Sequence, residues 1–122
     1  MQVELSFGRQ GLLVELPEKA IPQIIRKPKY LIPEDPHALV QQALSKPIRS
    51  KKLSEEAQGK KTACILVCDI TRPVPNKLFL KPVIAELEAG GIQRDSITIL
   101  IATGLHRPNL GEELEEVIGD PW

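Results

Sequence analysis

An acceptor, a small hydroxyl donor and a fixed cation stand together at Asp69-Ile70-Thr71-Arg72, and the stretch runs on into Pro73-Val74-Pro75-Asn76. A guanidinium can grip a carboxylate or phosphate through two parallel hydrogen bonds. The two prolines stiffen the loop, so its polar side chains lose little entropy on binding a ligand. A second polar stretch follows at Thr103-Gly104-Leu105-His106-Arg107-Pro108. It brings a histidine, the side chain suited to general acid or base work near neutral pH. Gly104 permits an unusual backbone angle or the close approach of a ligand. The plainer reading is that Asp69 caps its own turn, Arg72 pairs with a surface acid and His106 is merely exposed. The parallel between Asp69, Thr71, Arg72 and Thr103, His106, Arg107 favours a shared ligand site.

Both stretches begin where an apolar run stops. Ala63 to Val67 is apolar at consecutive positions, and so is most of Ile97 to Ala102. Continuous apolar runs suit strands covered on both faces, as in a parallel sheet flanked by helices. Ligands of such sheets sit beyond the carboxyl ends of the strands, where Asp69 and Thr103 fall. Between the runs, Leu78, Val83, Ile84 and Leu87 are spaced as one helix face, Asn76 is placed to cap it, Pro82 kinks or divides it, and Gly90-Gly91 ends it. Strand, helix and strand form a βαβ unit, so the two strands are expected to be parallel and the two polar loops adjacent.

The remaining segments read as scaffold. Val3-Glu4-Leu5-Ser6-Phe7, a turn at Gly8 to Gly11, and Leu12 to Leu16 predict a β-hairpin. Ala20 to Pro33 carries three prolines and is expected to be an irregular connection. Asp35-Pro36 opens a helix with Ala38, Leu39, Ala43 and Leu44 on its apolar face, and Pro47 closes it. His37 lies in its first turn, exposed. Leu53 to Gln58 adds a short helix before Gly59. Asn109 is placed to cap a last helix whose Leu114, Val117 and Ile118 face inward and whose glutamates face solvent. Gly119-Asp120-Pro121-Trp122 ends the chain where a third strand would be expected. The fold class is therefore α/β: a Rossmann-like parallel sheet core with flanking helices and an N-terminal β-hairpin. Residues 1–33 form hairpin and connection, 34–61 helix and polar loop, and 62–122 the βαβα core.

Composition narrows the function classes. At 122 residues and 42% hydrophobic content the chain suits one domain with a real core. Sixteen basic and sixteen acidic residues cancel, so overall charge favours neither nucleic acid nor an anionic membrane. The basic stretch from Lys46 to Lys61 is read as a solvated loop. No apolar run approaches a membrane span and no secretory pattern opens the chain, so a cytoplasmic location is expected. Cys64 and Cys68 lie four apart on one strand, too far along it to pair, and are read as buried free thiols. Neither the P-loop pattern nor Gly-x-Gly-x-x-Gly occurs.

The paired motifs, Asp69-Ile70-Thr71-Arg72-Pro73-Val74-Pro75-Asn76 and Ala102-Thr103-Gly104-Leu105-His106-Arg107-Pro108, resemble the N-terminal domain of the nickel-dependent lactate racemase family. The Pro33-Glu34-Asp35-Pro36 stretch is similar as well. The resemblance covers nearly the whole chain from the hairpin onward. It implies a two-domain α/β protein with its site in the cleft between domains. It also implies a nickel pincer nucleotide tethered to a lysine, its nickel bound by carbon, two sulfurs and a histidine. Racemisation then runs by hydride transfer to the cofactor through a pyruvate-like intermediate, and two histidines handle the hydroxyl proton. His106 matches one of these, and Arg72 matches the residue that holds the substrate carboxylate. Asp69, Thr71, Thr103, Gly104 and Arg107 match cofactor-binding or site-lining positions.

The tethering lysine, the second catalytic histidine and the nickel-binding histidine belong to later sequence in that family. This chain is therefore expected to be an N-terminal portion, inactive alone, holding neither metal nor cofactor without its C-terminal domain. The expected substrate is a small 2-hydroxy acid, with no nucleic-acid or membrane partner, and surfaces left open by truncation favour self-association. The alternative is a non-catalytic module binding a small carboxylated or phosphorylated ligand at the strand ends.

Overall fold

The computed structural model describes residues 1–19, 23, 25 and 27–119. It divides into two units, residues 1–32 and 33–122. In the first, β1 (Gln2–Leu5) and β2 (Leu12–Glu15) pair antiparallel with Val3 opposite Val14. The Met1 ammonium donates to the Leu16 carbonyl at 3.0 Å and closes the open end of this hairpin. Residues 20–22, 24 and 26 of the connection expected over 20–33 lie outside the described residues, and the rest of it carries neither helix nor strand.

The second unit opens with α1 (Pro36–Ser45), where the Asp35 carboxylate accepts the Ala38 N–H at 2.9 Å and Pro36 occupies the first turn. Proline costs nothing there because its missing N–H would have had no intrahelical partner. Leu44 is half-buried, but Leu39, Ala38 and Ala43 are exposed, so the expected apolar face is only partly used. The short α2 (Leu53–Glu56) follows, and then β3 (Ala63–Cys68), α3 (Asn76–Ala89), a 3-10 turn at Arg94–Ser96, β4 (Ile97–Ala102) and α4 (Glu112–Ile118). The α3 helix runs through Pro82 as one continuous element.

β3 and β4 pair in parallel with Ala63 opposite Ile97, Ile65 opposite Ile99 and Val67 opposite Ile101. These residues point to the helices. Val67 packs with Leu80, Val117 and Ile118 at one end of the core, and Ala57, Leu87 and Ile92 form a second cluster at the other. On α3 the deeply buried positions are Asn76, Leu80, Ile84 and Leu87, one helical stripe, while Leu78 and Val83 are only half-buried. Leu114, expected to face inward, is exposed on α4.

Only one face of the sheet is covered among the described residues. Strand residues alternate between faces, so Cys64, Leu66 and Cys68 project away from the helices together with Thr98, Leu100 and Ala102, and all six are exposed. This corrects two expectations at once. β3 is not flanked by helices on both sides, and Cys64 and Cys68 are exposed free thiols rather than buried ones. An unbroken apolar run records that both faces avoid water, but the described helices all pack against the other side.

Gly90 is where α2 meets the end of α3. A β-carbon there would collide with the Ala57 β-carbon and come within 2.6 Å of the Ser54 carbonyl oxygen. Overpacking against backbone that cannot yield costs about 1–3 kcal/mol. Gly90→Ala is therefore expected to lower the urea midpoint by that equivalent, and an unchanged midpoint would show that α2 moves aside freely.

Candidate active site

The site forms where the two parallel strands stop. The pairing of Cys68 with Ala102 ends both ladders level, so the loops that follow emerge side by side. After β3 the chain turns tightly, with the Arg72 N–H donating to the Asp69 carbonyl at 3.1 Å and the Val74 N–H to the Arg72 carbonyl at 2.8 Å. After β4 the His106 N–H donates to the Thr103 carbonyl at 2.9 Å, and Gly104 within that turn has φ +57°. That backbone region is strained for residues with a β-carbon, which explains the glycine.

Asp69 is the centre of the arrangement and is only 5% exposed. One carboxylate oxygen accepts the Thr71 hydroxyl at 2.7 Å, and the other meets His106 Nδ1 at 2.5 Å. The Thr71 hydroxyl, and after it His106, hold the Asp69 carboxyl below the ordinary aspartate range, against the opposing effect of burial. An ionised carboxylate only accepts, so Nδ1 of His106 carries the proton of that bond and Nε2 is left as the free ring nitrogen. The His106 side chain is 57% exposed. A buried carboxylate thus orients an exposed imidazole, an arrangement suited to moving a proton at Nε2.

Arg72 is exposed, and its guanidinium has no hydrogen-bond or ion-pair partner among the described residues. With Asp69, Thr71, Pro73 and Asn76 it lines a cleft of about 280 Å³. His106, Thr103, Gly104 and Arg107 are not on the wall of that cleft; His106 joins the site through Asp69 alone. Arg107 turns elsewhere, its guanidinium forking onto the Glu113 carboxylate at 2.7 and 2.6 Å.

Two asparagines placed as helix caps do other work. Asn76 is the first residue of α3, with Pro75 preceding it, and its amide donates to the Val117 carbonyl at 2.7 Å. α4 starts after Gly111, and Asn109 lies buried between the loops. Its Oδ1 accepts the Ile70 N–H at 3.4 Å while Nδ2 donates to Glu113 Oε2 at 3.1 Å. Sequence reasoning assigned no site role to Asn109 or Glu113. The available signal was their spacing of four, with Arg107 six residues before the same glutamate.

Among the described residues no three His, Cys, Asp or Glu side chains gather as a metal ion would require. No helix among the described residues is long and apolar enough to cross a membrane.

Comparison with known proteins agrees with the paired loops. The lactate racemase N-terminal domain family matches residues 7–121. The lactate racemase of Thermoanaerobacterium thermosaccharolyticum is 32% identical over 120 residues, covering 97% of this chain and 28% of that protein. The lactate racemase of Lactiplantibacillus plantarum is 40% identical over 82 residues, or 66% of this chain and 19% of that protein. The chain thus spans under a third of the length of either relative. With the match running from the hairpin through both motif loops to the last helix, the chain belongs to the lactate racemase N-terminal domain family.

Proposed function

We propose that this chain is the N-terminal portion of a 2-hydroxy-acid racemase of the lactate type, supplying the carboxylate-binding cation and one acid/base group. The observation that carries this reading is the Asp69–His106 bond, which leaves Nε2 as the free nitrogen of a mostly exposed ring and joins it to the loop of Arg72, an arginine with no partner among the described residues. Arg72 takes the substrate carboxylate in a bidentate grip. His106 Nε2 accepts the proton of the C2 hydroxyl and later returns it. Asp69 stabilises the imidazolium formed in between and keeps the ring turned to the substrate.

Hydride acceptance belongs in this reading to a nickel pincer nucleotide held by the remainder of the protein, together with a second histidine. The small parallel sheet is then the start of a larger Rossmann-like sheet, whose other elements cover the open face of β3 and β4. On this reading the 122-residue chain alone does not interconvert lactate enantiomers.

A carboxylate grip is made in ground state and transition state alike, so its loss falls on KM. In the full-length protein Arg72→Ala is expected to raise KM for lactate about 10- to 100-fold, matching the 1.5–3 kcal/mol of a charged hydrogen bond. Arg72→Lys recovers part of it, because an ammonium keeps the charge and loses the fork. Steady-state racemisation assays on both enantiomers decide it. A fall in kcat at constant KM would remove the carboxylate role.

A further inference from the structure

His106 sits on a turn with a glycine two residues before it, and its ring is mostly exposed. Its own bond to Asp69 is a single contact between two separate loops. A side chain on such a turn keeps a fixed angle only if the loop is held elsewhere. The holding point is three residues on. Asn109 is 6% exposed and spans the gap between the loops: its carbonyl oxygen takes the N–H of Ile70, the residue directly after Asp69. Its amide nitrogen rests on Glu113, and the same carboxylate receives both ends of the Arg107 fork. The segment from Arg107 to Asn109 is therefore pinned to one glutamate at both ends, with Pro108 between them.

We propose that Asn109, braced by Glu113, is a positioning residue that latches the loop carrying His106 to the loop carrying Asp69 and so sets the imidazole for proton transfer. The inference rests on the proposed acid/base role of His106 for its functional meaning, although the latch itself is a matter of these contacts. Asn109 does not cap α4, which begins after Gly111 without a side-chain cap; its Oδ1 crosses to the other loop while its Nδ2 rests on Glu113 within α4. An amide suits the place because it is donor and acceptor at once, and the two sides of the gap present an N–H and a carboxylate. Aspartate would face Glu113 with like charge, and alanine would leave both partners unmatched in a part-buried position.

The ring tautomer reports this geometry without any reaction. In the full-length protein carrying 15N-labelled histidine, the His37 and His106 rings are assigned by the signals lost in His37→Gln and His106→Gln. At a pH where both rings are neutral, long-range 1H–15N correlation spectra are expected to show His106 with its proton on Nδ1 and exposed His37 as the usual mixture. In Asn109→Ala the Nδ1–H signature of His106 is expected to collapse to the mixture seen for His37, with the methyl signals of Leu80 and Val117 unshifted. The double variant Asn109→Asp with Glu113→Gln exchanges donor and acceptor across the contact and is expected to restore Nδ1–H. Glu113→Gln alone removes the brace without opening the core, and a partial loss is expected, which keeps the test decisive if the alanine variant does not fold. His106 remaining wholly Nδ1–H in either folded single variant would overturn the latch. Failure of the racemase reading shows elsewhere, as absence of lactate interconversion by the unaltered full-length protein, and leaves the tautomer pattern as stated.

Discussion

His106→Ala is expected to lower kcat for lactate interconversion by about 10²- to 10⁴-fold, the usual contribution of a positioned general acid or base. Asp69→Asn is expected to fall within the same range, because it acts on the reaction through the His106 ring. The carboxylate fixes the proton on Nδ1, and an amide in its place supplies neither the negative charge nor a fixed preference for that tautomer. Because both changes disable one unit, their effects should not add: the double variant is expected to be no slower than His106→Ala alone. Racemisation rates of the three full-length variants decide the point. Independent, multiplying losses would separate Asp69 from His106, and a fully active Asp69→Asn would remove it from the reaction.

Acidity gives the same pair a second signature. The folded-state pKa of Asp69 is depressed, chiefly by the Thr71 hydroxyl and then by His106. A depressed carboxyl stabilises the fold above its unfolded pKa, and that contribution is lost as pH falls through the folded value. The carboxylate's share of the stability gap between the parent chain and Asp69→Asn is therefore expected to be lost as pH falls below the ordinary aspartate range, which acid-limb urea titrations measure.

The largest stability loss is expected from Leu80→Ala, at about 2–5 kcal/mol. Leu80 is 1% exposed and touches the cluster of Val67, Val117 and Ile118, which joins β3, α3 and α4. Truncation removes apolar contacts and leaves a cavity that three separate elements cannot collapse to fill. A loss of that size is a large share of the stability of a small domain. Urea titration measures it, with Ile48→Ala as the comparison: Ile48 is 91% exposed, and its change should stay within about 0.5 kcal/mol. If Leu80→Ala shifted stability no more than Ile48→Ala, the packing of α3 and α4 on this sheet would be wrong. The site should suffer with the core, because Asp69 lies two residues beyond Val67 on the same strand end.

Much of this architecture was legible in the residue order because it rests on local rules. Asp35-Pro36 starts α1 as its types require, with the side chain and the missing N–H each at the one position where they help. The hairpin followed from alternation, and the parallel pairing of β3 with β4 from the length and apolar spacing of the segment between them. The meeting of Asp69 with His106 was foreseeable only as nearness of two loops. Their hydrogen bond depends on the Cys68–Ala102 register and on Gly104, which no local pattern specifies.

Where local and tertiary demands competed, the tertiary contact prevailed. Asn76 and Asn109 carry good cap chemistry, yet each turns to a buried partner on a distant segment, since an unmatched buried carbonyl or N–H costs more than a cap supplies. Arg107 matched Arg72 in type but is committed to Glu113, whereas Arg72 lines the cleft with no partner among the described residues. Cys64 and Cys68 sit in an apolar run and still face outward, because alternation places them on the face that the described helices leave open. The sequence by itself determined the elements, their order and the chemical types at the strand ends, all consequences of short-range geometry. The tertiary structure alone decided which polar groups are paired and which are free, because that depends on partners brought together from across the fold.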